Sequence, residues 1–256
     1  MQRLTLILVL LAASAAPALA ERLVVSLSNH RVQITSNFVG ENLVLFGTIE
    51  PDPGKSTTGT GYDLVVTVTG PKRTLRTRRK ERVLGIWVNV DSREFVRVPS
   101  YLAILSNRPA AEIANAPTAR RLQVGLDNIL LTQRIGADLG DTVLDDPFRA
   151  AFVRLQRQHG LYREIANGVT FLTPTVFRAA VPLPSNVPTG TFTVDVKLFA
   201  NGANIAQTST ALEVIKAGFE QYVAEAAVNH GLLYGLLTTL MALLTGWFAS
   251  VVFRRD

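Results

Sequence analysis

Alternation of apolar and polar residues, with a period of two, dominates the first third of the chain and predicts β-strands. The apolar members of three such stretches are Leu23, Val25 and Leu27, then Tyr62, Leu64, Val66 and Val68, then Leu84, Ile86, Val88 and Val90. A fourth stretch has the same alternation, with Phe192, Val194, Val196 and Leu198. It ends at Asn201-Gly202, a dipeptide typical of hairpin turns. Each stretch is therefore expected to form a half-buried strand.

Helical signals replace the alternation between about residues 101 and 167. Asp146 is placed to cap a helix whose first turn holds Pro147, and Gly160 is placed to end it. The apolar residues of this helix recur at helical spacing: Phe148, Ala151, Phe152 and Leu155. Strands on both sides of a helical insertion favour a mainly β chain, an immunoglobulin-like antiparallel β-sandwich, over a parallel α/β fold.

Two further helices are predicted near the C-terminus. Residues 216–230 are amphipathic and predict a juxtamembrane helix. Its polar face holds acids rather than lysines, which favours a helix packed on its own domain over the alternative, a helix lying on the membrane surface. Residues 231–253 are uncharged and long enough to cross a bilayer core of roughly 30 Å as a transmembrane helix. Two arginines in the tail 254–256 indicate the cytoplasmic side of the membrane.

The first twenty residues contain a second apolar run. Arg3 precedes the apolar stretch Leu4 to Leu11, and Ala18-Leu19-Ala20 resembles a cleavage site, so residues 1–20 are predicted to be a signal peptide. A retained N-terminal anchor is the alternative. Export predicts a single-pass protein of the bacterial inner membrane, with a periplasmic β-rich domain over 21–215 and a cytoplasmic C-terminus.

Composition narrows the chemistry. The chain has no cysteine, which excludes disulfides, thiolate metal sites and cysteine nucleophiles. Its net charge of +6 would suggest nucleic acid for a cytosolic protein. For an exported domain the expected counter-charges are lipid headgroups, small anions or an acidic protein, and no nucleic-acid partner is expected.

Most of the positive charge in one segment, "PKRTLRTRRKERV", falls on alternate residues. If the segment is a strand, one face carries Lys72, Arg76, Arg78, Lys80 and Arg82, which we name the basic ladder. Such a face attracts anions, anionic lipid or an acidic partner. The alternative interpretation is an edge strand that its charges protect from sheet-to-sheet aggregation.

Small residues recur every three or four positions along the predicted transmembrane helix: Gly235, Thr239, Ala242, Gly246 and Ser250. Helices in lipid approach one another closely along such a face. The small-residue face therefore predicts docking on an inner-membrane protein or self-association.

No catalytic pattern stands out. The only histidines are His30, His159 and His230, which are far apart in the sequence and have no second ligand at metal-binding spacing. No catalytic residue, metal site or cofactor is predicted, and the protein is expected not to be an enzyme.

Three segments carry a resemblance: "VLGIWVNVDSREFVRVPSYLAILSNRP", "TVFRAAVPLPSNVPTGTFTVDVKLFANG" and "KAGFEQYVAEAAVNHGLLYGL…GWFASVVFRR". Together they resemble the alphaproteobacterial putative transmembrane protein family, an uncharacterised family, over nearly the whole mature chain. The resemblance implies an envelope protein with a single anchor that works beside a sulfite-exporter-type permease. A periplasmic oxyanion-binding module is the alternative expectation, followed by an enzyme of unknown type.

Overall fold

A computed structural model describes residues 21–50, 61–135 and 138–253 of the 256-residue chain. The predicted signal peptide at 1–20 and the predicted cytoplasmic tail at 254–256 lie outside the described residues. Among the described residues, strands dominate, helices interrupt them in the middle, and one apolar helix follows at the C-terminal end. This confirms the mainly β fold with a helical insertion and a C-terminal apolar helix.

The strands, numbered in chain order, form three sheets. The first sheet has the order β1 (Arg22–Leu27), β3 (Gly40–Glu50), β12 (Val176–Pro184), β11 (Val169–Phe171). The central sheet has the order β10 (Tyr162–Ala166), β7 (Leu102–Ser106), β4 (Asp63–Thr69), β13 (Gly190–Ala200), β14 (Ala203–Lys216), β2 (Arg31–Ile34). The third sheet has the order β5 (Lys72–Val83), β6 (Ile86–Pro99), β8 (Thr132–Ile135), β9 (Asp138–Asp141).

In the part of the chain that the structure describes, five α-helices accompany the sheets: α1 (Ala110–Ile113), α2 (Ala116–Leu122), α3 (Pro147–Gln158), α4 (Phe219–Asn229) and α5 (Gly231–Val252). The first three lie in the insertion, which also contains a short 3-10 helix at Leu126–Asn128. The interval expected to be helical, about 101–167, begins and ends on the strands β7 and β10. These two strands pair in parallel, a geometry that requires a long crossover such as this insertion.

Most strand pairs are antiparallel, as predicted, but both outer pairs of the central sheet are parallel. β10 pairs with β7 at one edge, and β2 pairs with β14 at the other. The predicted turn at Asn201-Gly202 joins β13 to β14 with φ of 51° and 77°. Both residues have the left-handed conformation of a type I′ hairpin turn, which Asn and Gly favour.

The central sheet separates two hydrophobic cores. Leu64, Val66 and Val68 of β4 pack into the core between the first and central sheets. Val65 points to the opposite face and packs in a second core beneath the insertion, where the rings of Phe152 and its neighbours lie. The stretch predicted to be half-buried is therefore buried on both faces, because the insertion covers the face that would otherwise meet solvent.

Helix α3 begins where its sequence predicts. Asp146 accepts hydrogen bonds from the backbone N–H groups of Phe148, at 2.7 Å, and Arg149, at 3.2 Å, and Pro147 occupies the first turn. The predicted apolar face is only partly right. Phe148 and Phe152 are buried, but Leu155 is 39% exposed and Gln156 is buried instead. The helix therefore presents a slightly rotated face to the second core.

Asp146→Ala is expected to destabilise the protein by about 1 kcal/mol, because two backbone N–H groups lose their acceptor. Thermal unfolding of the full-length protein in detergent measures the loss. Asp146→Ser is the matched control, since serine also caps helices, and it should recover most of the stability. Equal unfolding temperatures for wild type and the alanine variant would show that the cap contributes nothing.

Candidate functional site

A long β-hairpin projects from the third sheet. β5 pairs with β6 along its whole length, and Leu84 and Gly85 form the turn between them. Thr77 is the last buried residue of β5, and no residue from 78 to 92 is buried. At 3.3 Å per residue, this part extends about 20 Å from the body of the domain. We name residues 78–92 the projecting hairpin.

The basic ladder lies along this hairpin and its base. All five side chains are exposed: Lys72, Arg76, Arg78, Lys80 and Arg82. The two register shifts insert their extra residues in β6, so β5 keeps the alternation that places the ladder on one face. β5 is also an edge strand of its sheet. Both interpretations of the ladder, a docking surface and an edge protected by charge, therefore fit its position.

Acidic neighbours compensate the ladder only at its base. Nη2 of Arg76 lies 3.8 Å from a carboxylate oxygen of Glu94, which also faces Arg134 at 3.3 Å. Towards the tip, Arg78 and Lys80 form no ion pair with any residue that the structure describes. The outer half of the hairpin therefore carries uncompensated positive charge on this face.

The tip of the hairpin is apolar and exposed. Leu84 is 100% exposed, and the side chains of Ile86 and Trp87 are about two-thirds exposed. The strand predicted through Leu84, Ile86, Val88 and Val90 is present from Ile86 onward. Its predicted half-burial is wrong for Leu84, Ile86 and Val90, because no residue that the structure describes packs over this end of the hairpin. The sequence pattern did not predict that these residues form an exposed tip, although the Leu84-Gly85 dipeptide lies just beyond Arg82, the last residue of the basic run.

Leucine is also an unfavourable residue type at position 84 of this turn. Its φ is 50° and that of Gly85 is 88°, so both residues have the left-handed conformation that Asn and Gly adopt most readily. A leucine at positive φ is uncommon, and here its side chain contributes neither to a core nor to the turn.

A second feature is a cleft of about 510 Å³ between the central sheet and the insertion. Lys197, which lines the cleft, is only 8% exposed. Burial lowers the pKa of the Lys197 amine, and the negative charge of Asp195 partly opposes this effect. Of the basic ladder, only Lys72 lines the cleft. The other four ladder residues belong to the hairpin surface alone.

The other polar groups of the cleft differ in whether they have a hydrogen-bond partner. The carboxylate of Asp195 accepts a hydrogen bond from the hydroxyl of Ser209. The buried hydroxyl of Thr67 has no hydrogen-bond partner among the described residues. Arg97, which also lines the cleft, has a φ of 57° at one of the register shifts of β6. Elsewhere, no three histidine or acidic residues within the described ranges are grouped to hold a metal ion.

Helix α5 is long and apolar enough to cross a membrane, and none of its side chains is buried in the protein. The small residues predicted to share a face fall within about 80° around the helix, at 100° per residue. A Cβ atom added at Gly235 or Gly246 would meet nothing within 4 Å. The hydroxyl of Thr239 donates to the carbonyl of Gly235 at 2.8 Å, so this polar group is satisfied inside the helix. This face is open for packing.

A β-rich domain followed by an exposed apolar helix is typical of a membrane-anchored protein, and within the described residues this helix is the one candidate span. The family described as "Putative transmembrane protein (Alph_Pro_TM)" matches residues 22–255, and the chain belongs to this family. No curated protein matches the chain.

Proposed function

We propose that the protein is a non-enzymatic, membrane-anchored interaction protein of the bacterial inner membrane, with its β-rich domain in the periplasm. It holds a partner protein of the same membrane through the projecting hairpin. The observation that carries this proposal is the hairpin itself, which combines uncompensated basic charge with an exposed apolar tip. The helix α5 ties the domain to the bilayer in which the partner lies.

The hairpin suits an acidic partner surface with an apolar pocket. Arg78 and Lys80 would meet carboxylates of the partner, and arginine binds two carboxylate oxygens at once. Trp87 and Leu84 would fill the pocket, since buried aromatic and apolar side chains at the centre of an interface supply most of its binding energy. An edge strand that is only protected by charge requires no apolar tip, and this tip favours docking over protection.

The small-residue face of α5 supports the same proposal from within the bilayer. Gly235 and Gly246 leave room for a second helix to approach closely. The specific partner that we propose is an inner-membrane permease of the sulfite-exporter type, as the family resemblance suggests. Self-association through the same face is the alternative.

The test is photocrosslinking in the native membrane, with the full-length protein carrying a photoreactive residue at position 84. We expect one membrane protein to be captured through Leu84. A photoreactive residue at Leu172 is the matched control, since this leucine is also exposed, at 54%, but lies outside the hairpin, and it should capture nothing specific. Arg78→Glu with Lys80→Glu should reduce the capture at least tenfold by replacing attraction with repulsion.

Each other outcome contradicts the proposal in a distinct way. Adducts with lipid alone would place the hairpin on the bilayer surface rather than on a protein. Adducts only with a second copy of the chain would replace the permease by self-association. Equal capture through Leu84 and Leu172 would mean that the hairpin makes no specific contact.

A second candidate function, a periplasmic oxyanion-binding module, is favoured by one observation. The cleft holds a nearly buried lysine that no acidic residue of the described chain neutralises by direct contact. The ladder, on which an oxyanion site was predicted, contributes only Lys72 to this cleft.

A further inference from the structure

We propose that the cleft between the central sheet and the insertion binds a small organic anion. Its carboxylate or sulfonate group contacts Lys197 and Thr67, and its apolar part lies against the insertion. This inference rests on the second candidate function and gives it a ligand class. It is independent of the hairpin, so either proposal can fail alone.

The main support for this proposal is the environment of Lys197. Its side chain is more than nine-tenths buried, and it forms no ion pair with any residue of the described ranges. Burial disfavours the charged form of this amine and Asp195 opposes the effect only in part, and a lysine perturbed in this way within a cleft is a candidate for a binding site. An anion in the cleft would supply the missing charge.

The strand register places a polar patch around this lysine. In the pairing of β13 with β4, Lys197 lies opposite Val65, Asp195 opposite Thr67, and Thr193 opposite Thr69. The hydroxyl of Thr67 has no partner within the described chain, although its side chain is more than nine-tenths buried. It is therefore available to donate a hydrogen bond to an oxyanion beside Lys197.

Charge around the cleft favours an anion. Lys72 and Arg97 line it in addition to Lys197, against the single carboxylate of Asp195. This carboxylate is already occupied by the hydroxyl of Ser209 on the neighbouring strand β14. The cleft therefore carries more positive charge than the carboxylate of Asp195 neutralises.

The opposite wall of the cleft is apolar. It is formed by Leu122, Ile129, Leu130 and Leu139 of the insertion and the third sheet. Leu130 and Leu139 are more than half exposed, and a bound apolar group would cover them. The volume of about 510 Å³ lies within the range of small-molecule sites, which are concave and mostly apolar with a few polar groups.

Benzenesulfonate is a suitable probe, since it joins a permanently charged oxyanion to one ring. The experiment is saturation-transfer NMR with the full-length protein in lipid nanodiscs, with empty nanodiscs as the blank. We expect saturable binding that Lys197→Met weakens about tenfold or more, because a charge-assisted hydrogen bond is lost. Lys216→Met, which removes an exposed lysine at the end of β14, should change the affinity less than twofold.

A second readout reports on the lysine itself. The chain has five lysines, Lys55, Lys72, Lys80, Lys197 and Lys216, so ¹³C-methyl labelling of the amines gives few signals. Benzenesulfonate should shift the signal that is absent from the Lys197→Met variant. A Lys197 signal that does not move, or that inorganic sulfate moves equally, would overturn the proposal, as would equal binding by wild type and Lys197→Met.

Discussion

Gly47→Ala is expected to lower the free energy of unfolding by about 3 kcal/mol, which is the upper end of the usual range for overpacking a core. Gly47 lies in β3 directly opposite Phe177 of β12. A Cβ atom at this position would lie 2.3 Å from Cζ of Phe177. The ring is fully buried in the main core, so it has no room to move aside.

A double-mutant cycle separates this clash from other effects of the alanine. Phe177→Leu shortens the side chain that meets the new Cβ, so Gly47→Ala should cost much less in that background. Gly61→Ala is the matched control, because a Cβ atom there meets nothing within 4 Å. Chemical denaturation in detergent measures the free energy of unfolding of the full-length wild type, the two single variants of the cycle, the double variant and the control. Equal costs of Gly47→Ala in both backgrounds would exclude the clash as the cause.

The elements that the sequence predicted correctly are those that depend on interactions between residues close together in the chain. The cap at Asp146 and the Asn201-Gly202 turn are set by the residues themselves, and both are present. The alternation through Phe192, Val194, Val196 and Leu198 was also confirmed, since all four side chains are fully buried in one core. Backbone preference and period-two spacing act over a few residues, so one sequence is enough to read them.

Burial depended instead on what covers each face, which alternation does not reveal. The pattern through Leu64, Val66 and Val68 predicted one buried face, but the insertion buries the other face as well. The similar pattern through Leu84, Ile86 and Val88 lies on a hairpin that none of the described residues covers. Identical local spacing therefore gave a doubly buried strand in one case and an exposed one in the other.

The two candidate surfaces, the basic ladder and the cleft, also differed in how far the sequence predicted them. The basic ladder was predictable because its residues alternate within one strand. The cleft joins Lys197 of β13 to Thr67 of β4, Arg97 of β6 and leucines of the insertion, which are distant in sequence. A lysine within an apolar strand was the only local sign of it.

Lys197→Met is expected to raise the free energy of unfolding at neutral pH by about 2 kcal/mol, since the charge of Asp195 compensates the buried ion only in part, and replacing buried ions by apolar groups of similar volume is often stabilising. Methionine fills the same space without the cost of burying charge, and Asp195 keeps its hydrogen bond from Ser209. Lys216→Met, at an exposed position of β14, is the control and should change stability little. A destabilised Lys197→Met variant would mean that the lysine has a favourable partner inside the protein.

The gain from Lys197→Met should also depend on pH in a defined direction. Burial lowers the pKa of the Lys197 amine in the folded protein below its ordinary value of 10.5, so between the two values the unfolded chain binds more protons. The stability of the wild-type protein therefore rises as the pH increases from the lowered pKa to 10.5. The full cost of burying the charged amine applies only at pH values below the lowered pKa. Above 10.5 the amine is neutral in both states and the advantage of methionine should vanish. Chemical denaturation of wild type, Lys197→Met and Lys216→Met from pH 7 to pH 11 measures the difference. A gain that stays constant across this range would show that lost packing strain, rather than buried charge, explains it.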